Sequence, residues 1–357
     1  MDTPISITRT ERPKPKPRDT ELGFGRLFTD HMFLMDCAAD SGWHDPRVVP
    51  YGPLTLDPSA AVFHYSQEIF EGLKAYRSPR DTILLFRPDM NAARFNRSAT
   101  RLCMPLIDEN VFVTAMKTLV SVERDWVPYA PGTSLYIRPT MIATEAFLGV
   151  RPSQTYCFFI ILSPVGAYYA EGFSPVKILV EDRYVRSVKG GTGAAKTGGN
   201  YAASLAAGEE AHRKGFAQVL WLDGVERQYI EEVGSMNIVF VIDDELITPP
   251  LTGSILEGVT RNTVIQLAKD WGIRVIERPI TITEVFTTAH NGRLSETFGM
   301  GTAAVISPVS ELSYKDQSVT INSGKVGPLA QRLFDEIAAI QRGLKPDPHG
   351  WVVEVKA

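Results

Sequence analysis

The chain has 357 residues and a mass of 39.5 kDa, about twice the length of a typical domain, which favours two domains with full-sized cores. Its 37 basic and 41 acidic residues leave a net charge of −4, which argues against a general affinity for nucleic acid or acidic membranes. No run approaches the roughly 18 to 20 apolar residues that cross a bilayer. With 44% hydrophobic residues, the composition is that of a globular protein with small-molecule partners.

Three cysteines, Cys37, Cys103 and Cys157, are odd in number and lie far apart, so we expect a reducing compartment and no disulfide framework. The N-terminus lacks the apolar core of a signal peptide, and residues 8–18 are basic and rich in alternating proline. Residues 1–22 are therefore predicted to form an extended, mobile tail. These features together predict a cytoplasmic protein.

The first half alternates short strands with two helices, which predicts an α+β domain with a mixed or antiparallel sheet over residues 23–165. Helical periodicity is clearest where Val111, Ala115, Leu119 and Val122 recur on one face before Pro128. The predicted strands are residues 31–36, 82–86, 133–143 and 155–163, and the predicted helices are residues 89–101 and 110–127.

Two prolines and two glycines surround a tyrosine pair in residues 164–175, so residues 166–176 are the predicted interdomain linker. Residues 177–357 then form a larger domain with a mixed sheet and helices, which makes the whole chain a two-domain protein of α+β and α/β type. Its predicted strands are residues 176–181, 218–222, 238–242, 273–277 and 303–306 with one around residue 297, and its predicted helices are residues 200–214, 259–271, 283–290 and 326–342.

The most informative local feature is the glycine-dense loop of residues 189–199, which contains Lys196. One interpretation is a phosphate-binding loop, because residues 190–197 match G-x-x-x-x-G-K-[ST] except for Ala195. However, the preceding residues 182–189 are charged rather than a buried strand, and Gly198 and Gly199 would weaken a helix that starts at the lysine. The favoured interpretation is covalent chemistry, since a lysine amine forms a Schiff base with an aldehyde.

An aldehyde cofactor such as pyridoxal 5′-phosphate (PLP) needs a lysine, an acid at the ring nitrogen, a donor to the ring phenolate and an anion site for the phosphate. The sequence offers Glu232, expected at the end of a turn between strands, and Tyr201, five residues after Lys196. Gly258, Val259 and Thr260 open a predicted helix, whose N-terminal N–H groups favour a phosphate.

Six segments in this order resemble the branched-chain amino acid aminotransferases, which are class IV, fold-type IV PLP enzymes. The resemblance extends from about residue 23 to residue 351, and it is carried by residues 63–76, 134–139, 196–201, 231–237, 258–261 and 301–308. It implies a small N-terminal α+β domain, a larger PLP-binding domain with a barrel-like sheet, and a homodimer.

The resemblance also implies roles for individual residues. Lys196 would carry PLP and move the proton during catalysis, Glu232 would pair with the ring nitrogen, and Tyr201 would bind the phenolate oxygen. The remaining cofactor contacts implied by the resemblance come from Arg94, Ser235, Gly258, Val259, Thr260 and Thr302. Arg94 would be the phosphate-binding arginine; the alternative is an exposed helix arginine.

The same resemblance implies a pocket that accepts both branched aliphatic and acidic side chains. Tyr65, Phe70 and Tyr136 would form its apolar wall, and Arg138 would pair with the γ-carboxylate of glutamate; the alternative is a structural salt bridge. Arg138 comes two residues after Tyr136, so both should face one side of a strand. Amides at Thr302 and Ala303 would bind the α-carboxylate, and Val150 and Tyr168 would reach the site of the neighbouring subunit.

The predicted reaction is the reversible, ping-pong transfer of an amino group between L-leucine, L-isoleucine or L-valine and 2-oxoglutarate. A D-amino-acid transaminase, an aminodeoxychorismate lyase, and a regulatory protein that binds PLP or a nucleotide without turnover are the alternatives. Some relatives carry Cys-x-x-Cys after the Gly-Thr-Ala turn, but Ala304 and Ser307 stand here, so no thiol switch is expected. The six histidines show no metal-ligand spacing, and no metal is expected.

Overall fold

The computed structural model describes residues 4–166 and 173–356, and the chain divides into two compact units. The first unit comprises Met1–Tyr168, Ala195–Gly198 and Ala339–Ala357, and the second comprises Tyr169–Ala194 and Gly199–Ala338. Lys196 therefore belongs to the first unit by its contacts, although the chain on either side of it belongs to the second.

The N-terminal part of the first unit contains eight strands and three α-helices in the described residues. In chain order they are β1 (Ser6–Ile7), β2 (His31–Ala38), β3 (Gly42–Pro50), α1 (Ala61–Tyr65), β4 (Glu68–Phe70), β5 (Leu73–Arg77), β6 (Ile83–Phe86), α2 (Pro88–Arg101), α3 (Glu109–Val122), β7 (Ser134–Ala143) and β8 (Thr155–Val165). All six elements predicted here are present, with β2 and β8 slightly longer than expected. Helix α3 ends at Val122 and not at residue 127, because Arg124–Trp126 form a separate 3-10 turn.

The second unit follows with a further set of strands and helices, and the chain ends in one more strand. They are β9 (Val176–Glu181), α4 (Gly198–Ala202), α5 (Leu205–Arg213), β10 (Gln218–Leu222), β11 (Ile230–Val233), β12 (Asn237–Ile242), β13 (Glu245–Thr248), α6 (Val259–Asp270), β14 (Val275–Glu277), α7 (Ile282–His290), β15 (Leu294–Gly301), β16 (Val305–Tyr314), β17 (Gln317–Thr320), α8 (Pro328–Gln341) and β18 (Val352–Val355).

The sheet of the first unit has the order β1-β3-β2-β8-β7-β5-β6-β18, with β4 paired to β7, and every pairing except β1–β3 is antiparallel. Helices α2 and α3 cover one face through Phe95 and Phe112, whose rings lie 5.5 Å from that of Phe158 on β8. Asp108 caps α3 by accepting hydrogen bonds from the amides of Asn110 and Val111. This packing fixes α2 against the strands that carry the candidate site.

The second unit is built on a mixed sheet of the order β11-β10-β9-β16-β15-β12-β13-β14, with β17 paired to β16. β9 runs parallel to β10 and β16, β13 runs parallel to β14, and the other pairs are antiparallel. A core cluster on this sheet includes Ile178, Leu220, Ile238, Phe240 and Leu312, all 0% exposed. A mixed sheet with helices is what the sequence predicts for this part of the chain.

The single helix predicted over residues 200–214 is wrong, because α4 and α5 are separate. Ser204 Oγ donates a hydrogen bond to the carbonyl oxygen of Tyr201 at 2.7 Å. The amide of Ser204 donates to the same oxygen at 3.0 Å, which is the i to i−3 bond of a tighter turn and not the i to i−4 bond of an α-helix, so the α-helical pattern is interrupted here.

The N-terminal segment makes contacts within its own unit that its composition does not indicate, while its mobility stays a prediction. β1 pairs with β3, the amide of Thr10 donates to Nε2 of His31 at 2.8 Å, and Nζ of Lys14 donates to the carbonyl oxygen of Thr29 at 2.8 Å. The basic segment therefore finds acceptors within its own unit. The predicted linker of residues 166–176 remains a prediction, since residues 167–172 lie outside the described part of the chain.

Candidate active site

Hydrogen bonds to both backbone groups of Lys196 fix the position of this residue. Its amide donates to Oγ of Ser98 on α2 at 2.9 Å, and its carbonyl oxygen accepts from the amide of Phe70 at 3.0 Å. The half-buried side chain places Nζ 4.9 Å from the centroid of the Phe70 ring. A lysine amine beside an aromatic face, with both backbone groups fixed, is a well-positioned nucleophile.

The phosphate-loop interpretation of the same segment is wrong. In such a loop the amides around the lysine point at a phosphate, but here the amide of Lys196 is bonded to Ser98 and that of Gly198 to a carboxylate oxygen of Glu68. Burial raises the pKa of the Glu68 carboxyl, and the Gly198 amide and the charge of Arg138 partly oppose this. A carboxylate at this position disfavours a nucleotide phosphate.

Arg94 is buried, so the alternative of an exposed helix arginine is wrong. Its Nε and Nη2 donate to Oε1 and Oε2 of Glu71 at 2.7 and 2.8 Å, which is a bidentate ion pair. Asn91 Nδ2 donates to the same carboxylate at 2.8 Å. Burial alone would raise the pKa of Glu71, but the charge and hydrogen bonds of Arg94, with a contribution from Lys196, hold that pKa below its usual value. No pattern in the sequence singles out Glu71.

Tyr136 and Arg138 lie on the same face of β7, as the strand-face argument predicts, and Phe70 of β4 packs with them. The guanidinium carbon of Arg138 lies 4.7 Å from the Phe70 ring centroid and 5.3 Å from that of Tyr136, and its Nη2 donates to the Tyr136 hydroxyl at 3.1 Å. Among the described residues, Nε of Arg138 is buried and has no hydrogen-bond acceptor. Within residues 4–166 and 173–356 no ion pair of Arg138 is found, although its charge acts to lower the pKa of Glu68.

Two close contacts complete the wall around Tyr136. A Cβ atom at Gly72 would collide with the Tyr136 hydroxyl, so glycine is required for this ring to lie over the start of β5. The ring of Phe24 meets that of Tyr136 edge-on, with centroids 5.1 Å apart. Phe24 lies in a loop, outside any periodic segment, and the sequence did not indicate it.

Tyr65 and Val150 lie together at another part of the first unit. The Tyr65 hydroxyl donates to the carbonyl oxygen of Leu148, and Val150 is 87% exposed in the same loop. Leu148 is 61% exposed as well. An exposed apolar loop of this kind suits contact with a second chain. Tyr168 lies outside the described residues.

In the second unit, Glu232 lies within β11 and not at the end of a turn, which corrects the sequence prediction. It is 2% exposed, and Oε2 lies 2.7 Å from Nε of Arg186. Nη1 of Arg186 also donates to the carbonyl oxygen of Ser254 at 3.0 Å. A buried carboxylate requires such a cation, so Arg186 is a component of the site that the sequence did not reveal.

Asn237 connects Glu232 to the start of α6. Its Nδ2 donates to Oε1 of Glu232 at 3.2 Å and to the carbonyl oxygen of Leu256 at 2.9 Å. A Cβ atom at Gly258, the residue before α6, would collide with Oδ1 of Asn237. The unit thus brings a buried carboxylate close to the N-terminal amides of a 12-residue helix at Val259 and Thr260. Such amides and the helix dipole favour a phosphate.

The other predicted residues of this unit lie in turns and on α4. Ser235 is exposed in the turn between β11 and β12, and Thr302 and Ala303 lie half-buried in the turn between β15 and β16. Tyr201 is half-buried on α4. Asn200 Nδ2 donates to the carbonyl oxygen of Thr192 at 2.8 Å, which closes the glycine loop at its base.

Comparison with known proteins agrees with this geometry. Residues 68–312 match the family model described as "Amino-transferase class IV". The chain is 59% identical over 353 residues to branched-chain-amino-acid aminotransferase 2 of Bacillus subtilis, covering 99% of this chain and 97% of that protein. It is 53% identical to branched-chain-amino-acid transaminase 1 of the same organism, covering 99% and 100%. The chain belongs to the class IV aminotransferases.

Solved structures of this family share the fold. The Escherichia coli branched-chain amino acid aminotransferase superposes with a TM-score of 0.76 at 27% identity, covering 92% of this chain and 99% of that one. The T.th. branched-chain amino acid aminotransferase with pyridoxamine 5′-phosphate gives 0.75 at 27% identity, covering 94% and 99%. This aminotransferase therefore has the fold-type IV architecture that the sequence motifs imply, and PLP is its cofactor.

The residues present fit that cofactor. A nucleophilic lysine, a buried carboxylate paired with a cation, and a helix N-terminus next to that carboxylate are the groups that PLP requires. Within residues 4–166 and 173–356, no helix of this aminotransferase is long and apolar enough to cross a membrane.

Proposed function

We propose that this aminotransferase reversibly transfers the amino group between L-leucine, L-isoleucine or L-valine and 2-oxoglutarate, by two half-reactions at one site. The observation that carries the proposal is the cluster of Lys196, Phe70 and Arg138. The lysine Nζ and the Arg138 guanidinium carbon lie 4.9 and 4.7 Å from the centroid of the same ring. A reactive amine and a carboxylate-binding cation thus share one aromatic wall.

Lys196 would hold PLP through its ε-amine, and the same amine, when free, would take and return the proton at the substrate Cα. PLP supplies the electron sink that makes this proton transfer accessible. Backbone bonds from Lys196 to Ser98 and Phe70 keep the amine over the ring, so little motion is needed between its two tasks.

Glu232 is assigned to the ring nitrogen, and its pairing with Arg186 supports the assignment because it compensates the buried charge. Tyr201 is assigned to the phenolate oxygen. The phosphate is assigned to Arg94 and to the start of α6 at Gly258, Val259 and Thr260, with hydroxyl donors from Ser235 and Thr302.

Substrate selection is assigned to the wall of the first unit. Phe70 and Tyr136 provide apolar area for a branched side chain, at about 25 cal/mol per Å² buried. Tyr65 lies apart from this cluster, beside Leu148, and its assignment to the same pocket remains a proposal. Arg138 binds the γ-carboxylate of glutamate through its buried Nε and the adjacent guanidinium donors. The T.th. enzyme has been solved in complex with N-(5′-phosphopyridoxyl)-L-glutamate and with 4-methylvaleric acid, which supports one pocket for both classes. The substrate α-carboxylate is assigned to amides at Thr302 and Ala303.

The proposal includes a homodimer in the cytoplasm. The exposed apolar loop at Val150 supports a second chain there, and Tyr168 is assigned to the same role. Cys37, Cys103 and Cys157 are free thiols. Light scattering of the purified protein tests the dimer, and a monomeric mass under assay conditions would refute it.

Stereochemistry and product analysis separate this function from its alternatives. L-Leucine with 2-oxoglutarate should give glutamate and the branched 2-oxo acid, whereas D-leucine should give neither. Turnover of D-amino acids would favour the D-amino-acid transaminase, and cleavage of aminodeoxychorismate would favour the lyase. Binding of PLP without any turnover would favour a regulatory protein.

A further inference from the structure

We infer that Glu71 is a positioning residue that orients the Arg94 guanidinium for the cofactor phosphate, an inference that rests on the phosphate role proposed for Arg94. Glu71 lies between β4 and β5 and is 0% exposed. It has no contact assigned to substrate or cofactor. Its effect on the phosphate is transmitted through Arg94, while its charge also acts on Lys196.

The geometry of the pair fixes the plane of the guanidinium. Two parallel hydrogen bonds, from Nε and from Nη2 of Arg94, reach the two oxygens of Glu71 at 2.7 and 2.8 Å. A bidentate pair removes the rotation that a single hydrogen bond would allow. A second anion can then meet Arg94 only from directions that the Glu71 pair leaves open.

The carboxylate is itself held in place. Asn91 Nδ2 and the Gly72 amide donate to its Oε2 at 2.8 and 3.1 Å. The Glu71 amide donates to the carbonyl oxygen of Pro139 on β7 at 2.8 Å. The orientation of Arg94 is thus set by β7 and α2 together.

A carboxylate beside a phosphate-binding arginine is unexpected, because its negative charge repels the phosphate. Charge and orientation therefore predict opposite changes in phosphate affinity when the charge of Glu71 is removed. If only charge mattered, removing the negative charge of Glu71 would strengthen the binding of a phosphate dianion. If orientation matters, the same change weakens it, because an unpaired guanidinium no longer presents its donors in one direction. Glu71→Gln keeps the size and removes the charge.

The test measures cofactor affinity and not turnover. Full-length wild type, Glu71→Gln, Arg94→Gln and the double variant are freed of cofactor and titrated with PLP and, in parallel, with pyridoxal, which lacks the phosphate. We expect Glu71→Gln to bind PLP about tenfold or more weakly, the effect of losing a charge-assisted hydrogen bond. Pyridoxal, which depends on Glu71 only through the charge that it exerts on Lys196, should lose much less affinity. In the Arg94→Gln background, Glu71→Gln should add no further loss that is specific to PLP.

Three results would overturn the inference: equal or tighter binding of PLP by Glu71→Gln, equal loss for PLP and pyridoxal, or additive losses in the double variant. If Glu71→Gln does not fold by circular dichroism, Asn91→Ala replaces it, with a smaller loss confined to PLP as the expected result and an equal loss for both ligands as the contrary one. If Arg94→Gln itself does not distinguish PLP from pyridoxal, the proposed role of Arg94 fails instead.

Discussion

Arg138 offers the sharpest test of how one pocket accepts two classes of side chain. Its guanidinium lies against Phe70 and Tyr136, donates to the Tyr136 hydroxyl, and buries Nε without an acceptor among the described residues. Glutamate would supply that acceptor and leucine would not. Arg138→Ala should therefore impair the half-reaction with glutamate much more than the half-reaction with leucine.

The size of the effect follows from the contact that is lost. A hydrogen bond to a charged group contributes about 1.5–3 kcal/mol, which is about a 10- to 150-fold change in rate or affinity. The apolar wall remains, so the leucine half-reaction should change by only a few-fold. Single-turnover stopped-flow measurements of each half-reaction, following the cofactor absorbance against substrate concentration, give the two values separately.

The controls separate charge from packing. Arg138→Met keeps most of the apolar stem on the two rings and should show the same loss with glutamate and a smaller one with leucine. Arg138→Lys keeps the charge but loses the planar fork, and should lie between wild type and Arg138→Met with glutamate. Equal losses with glutamate and leucine in both Arg138→Ala and Arg138→Met would refute the assignment of Arg138 to the γ-carboxylate.

Three further outcomes are expected. Lys196→Ala should abolish transamination while leaving circular dichroism unchanged, and near-normal turnover would contradict the mechanism. Arg186→Met should lower the free energy of unfolding of the cofactor-free protein, measured in urea, by about 3–5 kcal/mol, because it leaves the buried Glu232 carboxylate without its cation. Adding Glu232→Gln removes that buried charge and should recover part of the loss. If nothing is recovered, the pairing of Arg186 with Glu232 is not what stabilises the protein. Burial and the charge of Arg342 lower the pKa of Lys74 from 10.5 to about 8. Between these two pH values the unfolded chain still holds the lysine proton that the folded chain has lost. The free energy of unfolding of the wild type should therefore rise, relative to that of Lys74→Met, as the pH increases from about 8 to 10.5. A stability difference that is independent of pH would refute this shift.

The periodicity of the sequence was sufficient for most of the regular elements. Amphipathic runs located α2, α3, α6 and α7, and apolar runs located β7, β8, β10 and β12, because burial on one face or two leaves a direct trace in the sequence. The face shared by Tyr136 and Arg138 was predictable for the same reason, since a strand alternates its side chains.

Buried ionic partners were not predictable in this way. Glu71 meets Arg94, and Arg186 meets Glu232, across long stretches of sequence, so neither pair leaves a local pattern. A charged residue in the sequence is ordinarily exposed, and only the tertiary structure shows which ones are enclosed.

The sequence patterns also did not predict the short strands β18 and β1, of which β18 pairs with a strand far away in the sequence. β18 near the end of the chain pairs with β6 of the first unit, where Val353 lies opposite Leu85, although most of the chain after residue 198 lies in the second unit. β1 similarly adds to β3 from a basic, proline-rich segment. Short edge strands carry little periodicity, so sheet pairing and not composition determines where they lie.

The measurement that tests the central claim most directly is the visible absorption of the purified protein, taken before and after L-leucine is added and again after 2-oxoglutarate. We predict a visible band from cofactor held at Lys196, which L-leucine removes, D-leucine leaves intact, and 2-oxoglutarate restores. A protein that stays colourless after incubation with PLP, or whose band does not respond to L-leucine, would contradict the assignment of both the cofactor and the reaction.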